Sequence, residues 1–354
     1  GIARWSKANQ AWQGLGNPVT GATIDAINAM AFDANGDLYV GGTFNNGGAA
    51  ATFIFDGTGN INQSTTFNNL SLIGGIRTIF SGTTTVNGTF TQNGGDISIG
   101  NNTLDINAPP VFTSGTTTIV DGVLDLQDAG NITFSATTIN VTGSGGINCT
   151  GNSFDMNGGS ISLGSGALSC NGFSVSVGSF NAGSGTITSN GDIAITGGFT
   201  QGSSNINMTG GASLQAITLN NLTVNTGGAV SMTGALTTND LTISSGTLVT
   251  GDNSIIVNGS ATINGTFDSS GQITGGNTTT INGVVSGTGT LTGGSQTITI
   301  GSITSLGTLT GGSGAIDING NATITTFNEG TGNTNLGGDF ALPVPSLNEI
   351  GRAH

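Results

Sequence analysis

Positive charge is what this chain of 354 residues most conspicuously lacks. Lys and Arg together number 4 against 18 Asp and Glu, so the formal net charge is −14, and only 6 % of residues are charged. The basic side chains are Arg4, Lys7, Arg77 and Arg352, and the single His is His354. Between Arg77 and Arg352 there is no cation to neutralise phosphate, which excludes a nucleic-acid surface and attraction to anionic lipid. No apolar run approaches the ~18 residues of a membrane span. The chain opens at Gly1 without a basic and apolar leader, which reads as a mature product or a fragment. Proline is scarce, at 5, and the 65 glycines keep no three-residue period, so a collagen helix is excluded. Two cysteines, Cys149 and Cys170, are too few for a disulfide framework and leave two readings, one bridge between neighbouring coils or two buried free thiols. With His354 the single His and no second Cys pair, no metal site and no cofactor is expected.

What is present is periodic. Gly-x-[Ile/Leu]-Thr-Gly-Gly occurs at 271–276, 289–294 and 307–312, and a second set of glycines interleaves with it at Gly228, Gly246, Gly265, Gly283, Gly301 and Gly320. Farther upstream Ser81-Gly-Thr-Thr-Thr-Val86 returns as Ser114-Gly-Thr-Thr-Thr-Ile119, and the stretches around Cys149 and Cys170 repeat at a longer spacing. Between the glycines lie short β-branched runs such as Thr297-Ile-Thr-Ile300, which suit strands with one buried face. Glycine, Asn and Ser supply the corners. Helix signals are missing, since no 3.6-residue stripe persists.

A unit of this size cannot bury its apolar face alone, whereas stacked units bury a continuous column. The chain is therefore expected to be all-β, a parallel β-solenoid of ~18–21 residues per coil. The crossover rule favours the right hand; a left-handed hexapeptide helix is the alternative. Ile263, Ile281, Ile300 and Ile318 should form one inward column, and Ile273, Leu291 and Leu309 another. Three segments follow: 1–66, a small β unit acting as cap or inter-subunit joint; 67–338, the solenoid; and 339–354, an extended tail.

Segment 1–66 holds both Trp residues and the only Tyr. Asn35-Gly36, between Ala31-Phe32 and Leu38-Tyr-Val40, marks a hairpin. Ile2-Ala-Arg-Trp5, Trp12-Gln-Gly-Leu-Gly16, Ile27-Asn-Ala-Met-Ala31 and Gly36-Asp-Leu-Tyr-Val-Gly-Gly-Thr-Phe44 resemble one blade-length unit of the propeller-type repeats of secreted bacterial surface proteins. Leu342-Pro-Val-Pro-Ser-Leu-Asn-Glu-Ile-Gly351 resembles the start of a bacterial C-terminal sorting signal, with Ile350 where that signal carries Trp. Both resemblances imply an extracellular, cell-surface setting.

Candidate chemistry is thin. Polysaccharide lyases on β-helices need a basic residue, and the rod offers only Arg77. An inverting hydrolase needs paired carboxylates; Asp121, Asp125 and Asp128 form the one acidic cluster, in which Asp121 and Asp128, beside Gly or Ala-Gly, read as turn residues, with a calcium contact or catalysis as the alternatives. Asp33, Asn35 and Asp37 imitate the start of a calcium loop without its Gly and Glu positions. Thr290/Thr292 and Thr308/Thr310, continued by Thr274, form an outward threonine array that resembles those of ice-binding solenoids. No catalytic, cofactor or metal residue is assigned, and no enzyme activity is expected. The function read from these features is a structural subunit of an extracellular filament or surface fibre, its partner a second copy of itself. The alternatives are a glycan-binding adhesin stalk or phage-type fibre, whose partners are surface glycans, and an ice-binding solenoid.

Overall fold

The computed structural model describes residues 52–61, 64–130, 132–251, 253–268, 279–295 and 297–342, together with the strand segments 3–6, 11–14, 29–32 and 38–41. The described chain is all-β, a parallel β-solenoid of about 14 turns with stacked coils between residues 52 and 341. At the strand spacing of parallel sheets these turns make a rod roughly 65–70 Å long.

Each turn has three sides. The first face begins with Thr65–Phe67, Thr83–Val86, Thr103–Ile106 and Val123–Asp125. The second begins with Thr52–Asp56, Asn69–Gly74, Phe90–Asn93 and Val111–Ser114. The third begins with Gly59–Ile61, Ile76–Ile79, Asp96–Gly100 and Thr116–Ile119. Farther along, strands such as Gly146–Ser162 and Ala167–Asn181 run through two corners and serve all three faces. Alternation decides which side chains enter. In Thr103-Leu-Asp-Ile106, Leu104 and Ile106 are buried, while Thr103 and Asp105 look outward. Register partners on the next rung repeat that choice, so inward residues stack into columns.

One column is aromatic. Phe90, Phe112, Phe134, Phe154 and Phe173 follow one another on the second face, with ring centroids 5.7, 5.2, 4.8 and 5.8 Å apart. Phe180 and Phe199 join from the third face. Between Val111–Ser114 and Ile132–Phe134 the backbone ladder of the second face is interrupted, and the four preceding strands form a sheet of their own. The stacked Phe112 and Phe134 rings carry the core across that seam.

The corners explain the wealth of Asn, Asp and Gly. Asn69, Asp240 and Asn321 each use Oδ1 to accept the backbone N–H of the residue just before a strand one turn later, Thr89 at 2.8 Å, Ser260 at 2.8 Å and Asp339 at 3.0 Å. In each case the residue before that donor is glycine: Gly88, Gly259 and Gly338. A Cβ there would occupy the place of the accepting oxygen. This latch satisfies backbone donors at bends, where the sheet ladder leaves them without a strand partner.

Two expected columns need correction. Ile281, Ile300 and Ile318 are register partners, but Ile263 belongs to another face, beneath Ile243; Val257 is the partner of Ile281. Leu291 and Leu309 pair as expected, yet their neighbour is Phe267, and Ile273 lies outside the described residues. The glycine set splits in the same way. Gly228, Gly246, Gly265, Gly289 and Gly307 share one corner, and Gly259, Gly283, Gly301 and Gly320 another. The physical reason is one long turn: the rung-to-rung step is 24 residues at Asn264–Thr288, against 18 at Thr310–Asn328 and 16 at Ser204–Asn220. Across the long turn a spacing of 18 connects two different corners.

At the N-terminal end, Ala29–Phe32 pairs antiparallel with Leu38–Gly41, the hairpin that Asn35-Gly36 marks, although residues 33–37 themselves lie outside the described residues. Leu38 then pairs in parallel with Ile61, so this hairpin extends the ladder of the first turn. Ala3–Ser6 and Ala11–Gly14 form a separate antiparallel pair. Residues 343–351 of the sorting-signal resemblance lie outside the described residues.

Candidate functional surface

The three acidic candidates separate. Asp121 sits at a corner, where its Oδ1 accepts Ser144 N–H at 2.8 Å and Ser144 Oγ–H at 2.9 Å, with Gly143 before the donor. It is another Asx–Gly latch. These two hydrogen bonds, the backbone one first, hold its carboxyl below the usual range. Asp125 lies instead on the outer side of the first face, between register partners Asp105 and Asn148. Its Oδ1 accepts Asn148 Nδ2–H at 3.1 Å, and Asp105 accepts Thr85 Oγ1–H at 3.2 Å. Burial raises the Asp105 carboxyl, and the negative charges of Asp125 and Asp128 add to the rise while the Thr85 bond opposes it. The carboxylates on this face are thus Asp105 and Asp125, with the charge of Asp128 close by in the turn that follows the strand. The repeat of Leu104-Asp105 as Leu124-Asp125 is the signal that places Asp105 there. These carboxylates act as rungs of a polar ladder that runs on through Asn148, Ser169 and Thr188. Asp33, Asn35 and Asp37 lie outside the described residues. Among the described residues no three His, Cys, Asp or Glu side chains gather as a metal ion requires.

Arg77 is buried, at 8 % exposure, with its guanidinium 4.2 Å from the centroid of Phe55. It occupies an inward position whose partner on the next rung is Ile97, so its charge is stacked on an aromatic ring at the start of the rod. Cys149 and Cys170 are free, buried register partners in this structure.

The threonine array is longer than its sequence motif. Thr290/Thr292 and Thr308/Thr310 are partners as expected, and Thr266 and Asp268 precede them where Thr274 was expected; Thr274 lies outside the described residues. Thr247, Thr266, Thr290, Thr308 and Thr326 form one column on the outer second face. Beside it runs a shallow groove lined by Gly228, Ser245, Gly246, Asn264 and Gly265. A second groove, of about 460 Å³, is lined by Ser153, Asp155, Asn171, Ser174 and Asp192. Burial in that groove raises the Asp155 carboxyl.

These shifts set opposite pH dependences. A raised carboxyl penalises the folded state once ionised, so its contribution is most favourable below the unfolded value near ~4 and is lost as pH rises through the folded value. A lowered carboxyl stabilises above the unfolded value and loses that effect as pH falls through the folded one. Asp155→Asn should therefore be more stable than the parent chain at pH ~7, an advantage that fades on acidification through the raised Asp155 value. Asp121→Ala should be less stable at pH ~7, with a deficit that shrinks below pH ~4. Urea unfolding midpoints across the pH range check both; parallel pH curves for parent and variants would refute the assignment.

No protein-family model, no curated protein and no solved structure matches the chain.

Proposed function

We propose that the chain is a non-enzymatic structural subunit of an extracellular filament or surface fibre, and that it assembles with copies of itself through the ends of the solenoid. The observation that carries this reading is the last rung. Thr334–Leu336 and Phe340–Ala341 each pair with one neighbouring strand among the described residues, through Ile316–Ile318 and Ala322–Asn328. Exposed strand edges template further pairing, and natural proteins blunt them with Lys, Pro or a covering element. From residue 78 to residue 351 the chain has no basic side chain. At the opposite end, the hairpin of Ala29–Phe32 and Leu38–Gly41 already adds a strand to the first turn, which makes it a natural joint. The extracellular setting rests on the resemblance of 1–45 to surface-protein repeats and of 342–351 to a sorting signal.

Negative-stain microscopy at increasing protein concentration tests the proposal. Fibres many rod lengths long are expected, and Asn335→Lys, which places a cation on the last rung, should leave single rods with an unchanged circular dichroism spectrum. Single rods at every concentration would overturn the reading.

The five-rung threonine column favours a second reading, binding to ice. A regular column of hydroxyl and methyl groups at the rung spacing presents a repeating surface to water, with Asp268 beside it as a neighbouring charge. Thr308→Lys in the middle of the column should abolish any inhibition of ice recrystallisation; absence of inhibition by the parent chain removes this reading.

A further inference from the structure

We propose that Cys149 and Cys170 are the two halves of a disulfide that closes one full turn of the solenoid when the chain folds in the presence of a low-molecular-weight disulfide. The two residues are direct register partners on adjacent parallel strands. Both point into the core, at 0 % and 3 % exposure, and both are free. Partners on neighbouring strands lie ~4.8 Å apart at Cα, inside the range of ~4.4–6.8 Å that a disulfide accepts. The Cys149 thiol already leans toward its partner's strand, donating to the carbonyl oxygen of Ser169 at 3.2 Å. Drawing the Cβ atoms together requires local give, and the backbone supplies it. The register breaks between Cys149 and Ser153. Within that break Gly151 has φ +91° and no atom near the position of a Cβ.

The chemistry balances with one oxidant. A thiolate of the pair attacks a sulfur of the small disulfide and releases one thiol. The second cysteine then attacks the resulting mixed disulfide and releases the other thiol. One sulfur–sulfur bond forms and one breaks; the two cysteine protons end on the two released thiols. The folded interior slows the first step. Contact with the Cys170 thiol and burial push the Cys149 thiol up, and no basic residue between 78 and 351 holds a thiolate. Oxidation therefore belongs to the folding chain, before the turn is sealed.

The test refolds the denatured, reduced full-length chain in a buffer of oxidised and reduced glutathione, or in reductant alone, followed by alkylation in denaturant and intact-mass measurement. The oxidised arm is expected to lose both alkylation sites and the mass of two hydrogens, to stay monomeric on a non-reducing gel, and to melt several degrees higher. Prefolded reduced protein in the same buffer should react at least about tenfold more slowly. Cys149→Ser, or Cys170→Val should the first fail to fold, must abolish the loss of hydrogens. A chain that refolds to the same β spectrum with both thiols alkylatable overturns the proposal, as does a product of mixed disulfides or cross-linked dimers.

Discussion

Phe154→Ala should lower the stability of the rod by about 3–5 kcal/mol, the cost of emptying a buried aromatic site. Phe154 is fully buried. Its ring touches Phe134 at 4.8 Å, Phe173 at 5.8 Å and Phe180 at 6.0 Å between centroids. The first two contacts run along the axis and the third crosses the interior, so truncation removes packing from three turns at once. Each turn contacts mainly its neighbours, and stability in such arrays is close to a sum of unit and interface terms. The damage should therefore show as faster hydrogen exchange centred on strands Gly146–Ser162 and Ala167–Asn181, before any change at the ends. Phe80→Ala is the control: that ring is 68 % exposed, and its loss should change the urea midpoint little. Equal effects of the two substitutions would refute an aromatic column that carries the middle of the rod.

That column was not legible from periodicity in the sequence, and the reason is physical. The aromatic residues repeat at uneven steps, because corners here absorb insertions without disturbing the faces. Phe112 and Phe134 remain stacked across a seam where the backbone ladder itself is interrupted. The uniform part of the chain, by contrast, misled in detail. The step from Gly265 to Gly283 matches its neighbours, yet those glycines sit at different corners. A long turn between Ile263 and Gly287 shifts every later mark by one corner. Stacking as such was readable, since β-branched runs between glycines can bury their inward side in no simpler way. The polar surface was readable only in part. Asp121 was visible as a turn residue, but its role follows from the Gly143-Ser144 pair one rung later, a relation between turns that composition does not display. Asp105 escaped notice although Leu104-Asp105 and Leu124-Asp125 are register partners.

The largest single effect is expected at a glycine. Gly164, Gly183 and Gly202 stand one above another at a corner, with φ of +54°, +59° and +55°. A Cβ on Gly183 would overlap the carbonyl oxygen of Gly164, and one on Gly202 that of Gly183. Backbone, not a movable side chain, fills the space, so no rotamer change relieves the clash. Gly183→Val adds a second cost, because a β-branched residue is strongly disfavoured in the left-handed region. Together these place the substitution in the exceptional class above about 4 kcal/mol. The turn must either open, losing the Ala182 N–H to Thr200 carbonyl bond at 2.9 Å, or displace its neighbour down the stack. Gly151→Ala separates the two costs. Gly151 also has a positive φ, +91°, but no atom lies near its Cβ position. Only the torsional cost remains there, about 1–2 kcal/mol. Chemical denaturation of both variants reads the difference. A Gly183→Val chain as stable as Gly151→Ala would mean that successive corners do not approach through bare backbone, and the close stacking that joins each turn to the next would have to be redrawn.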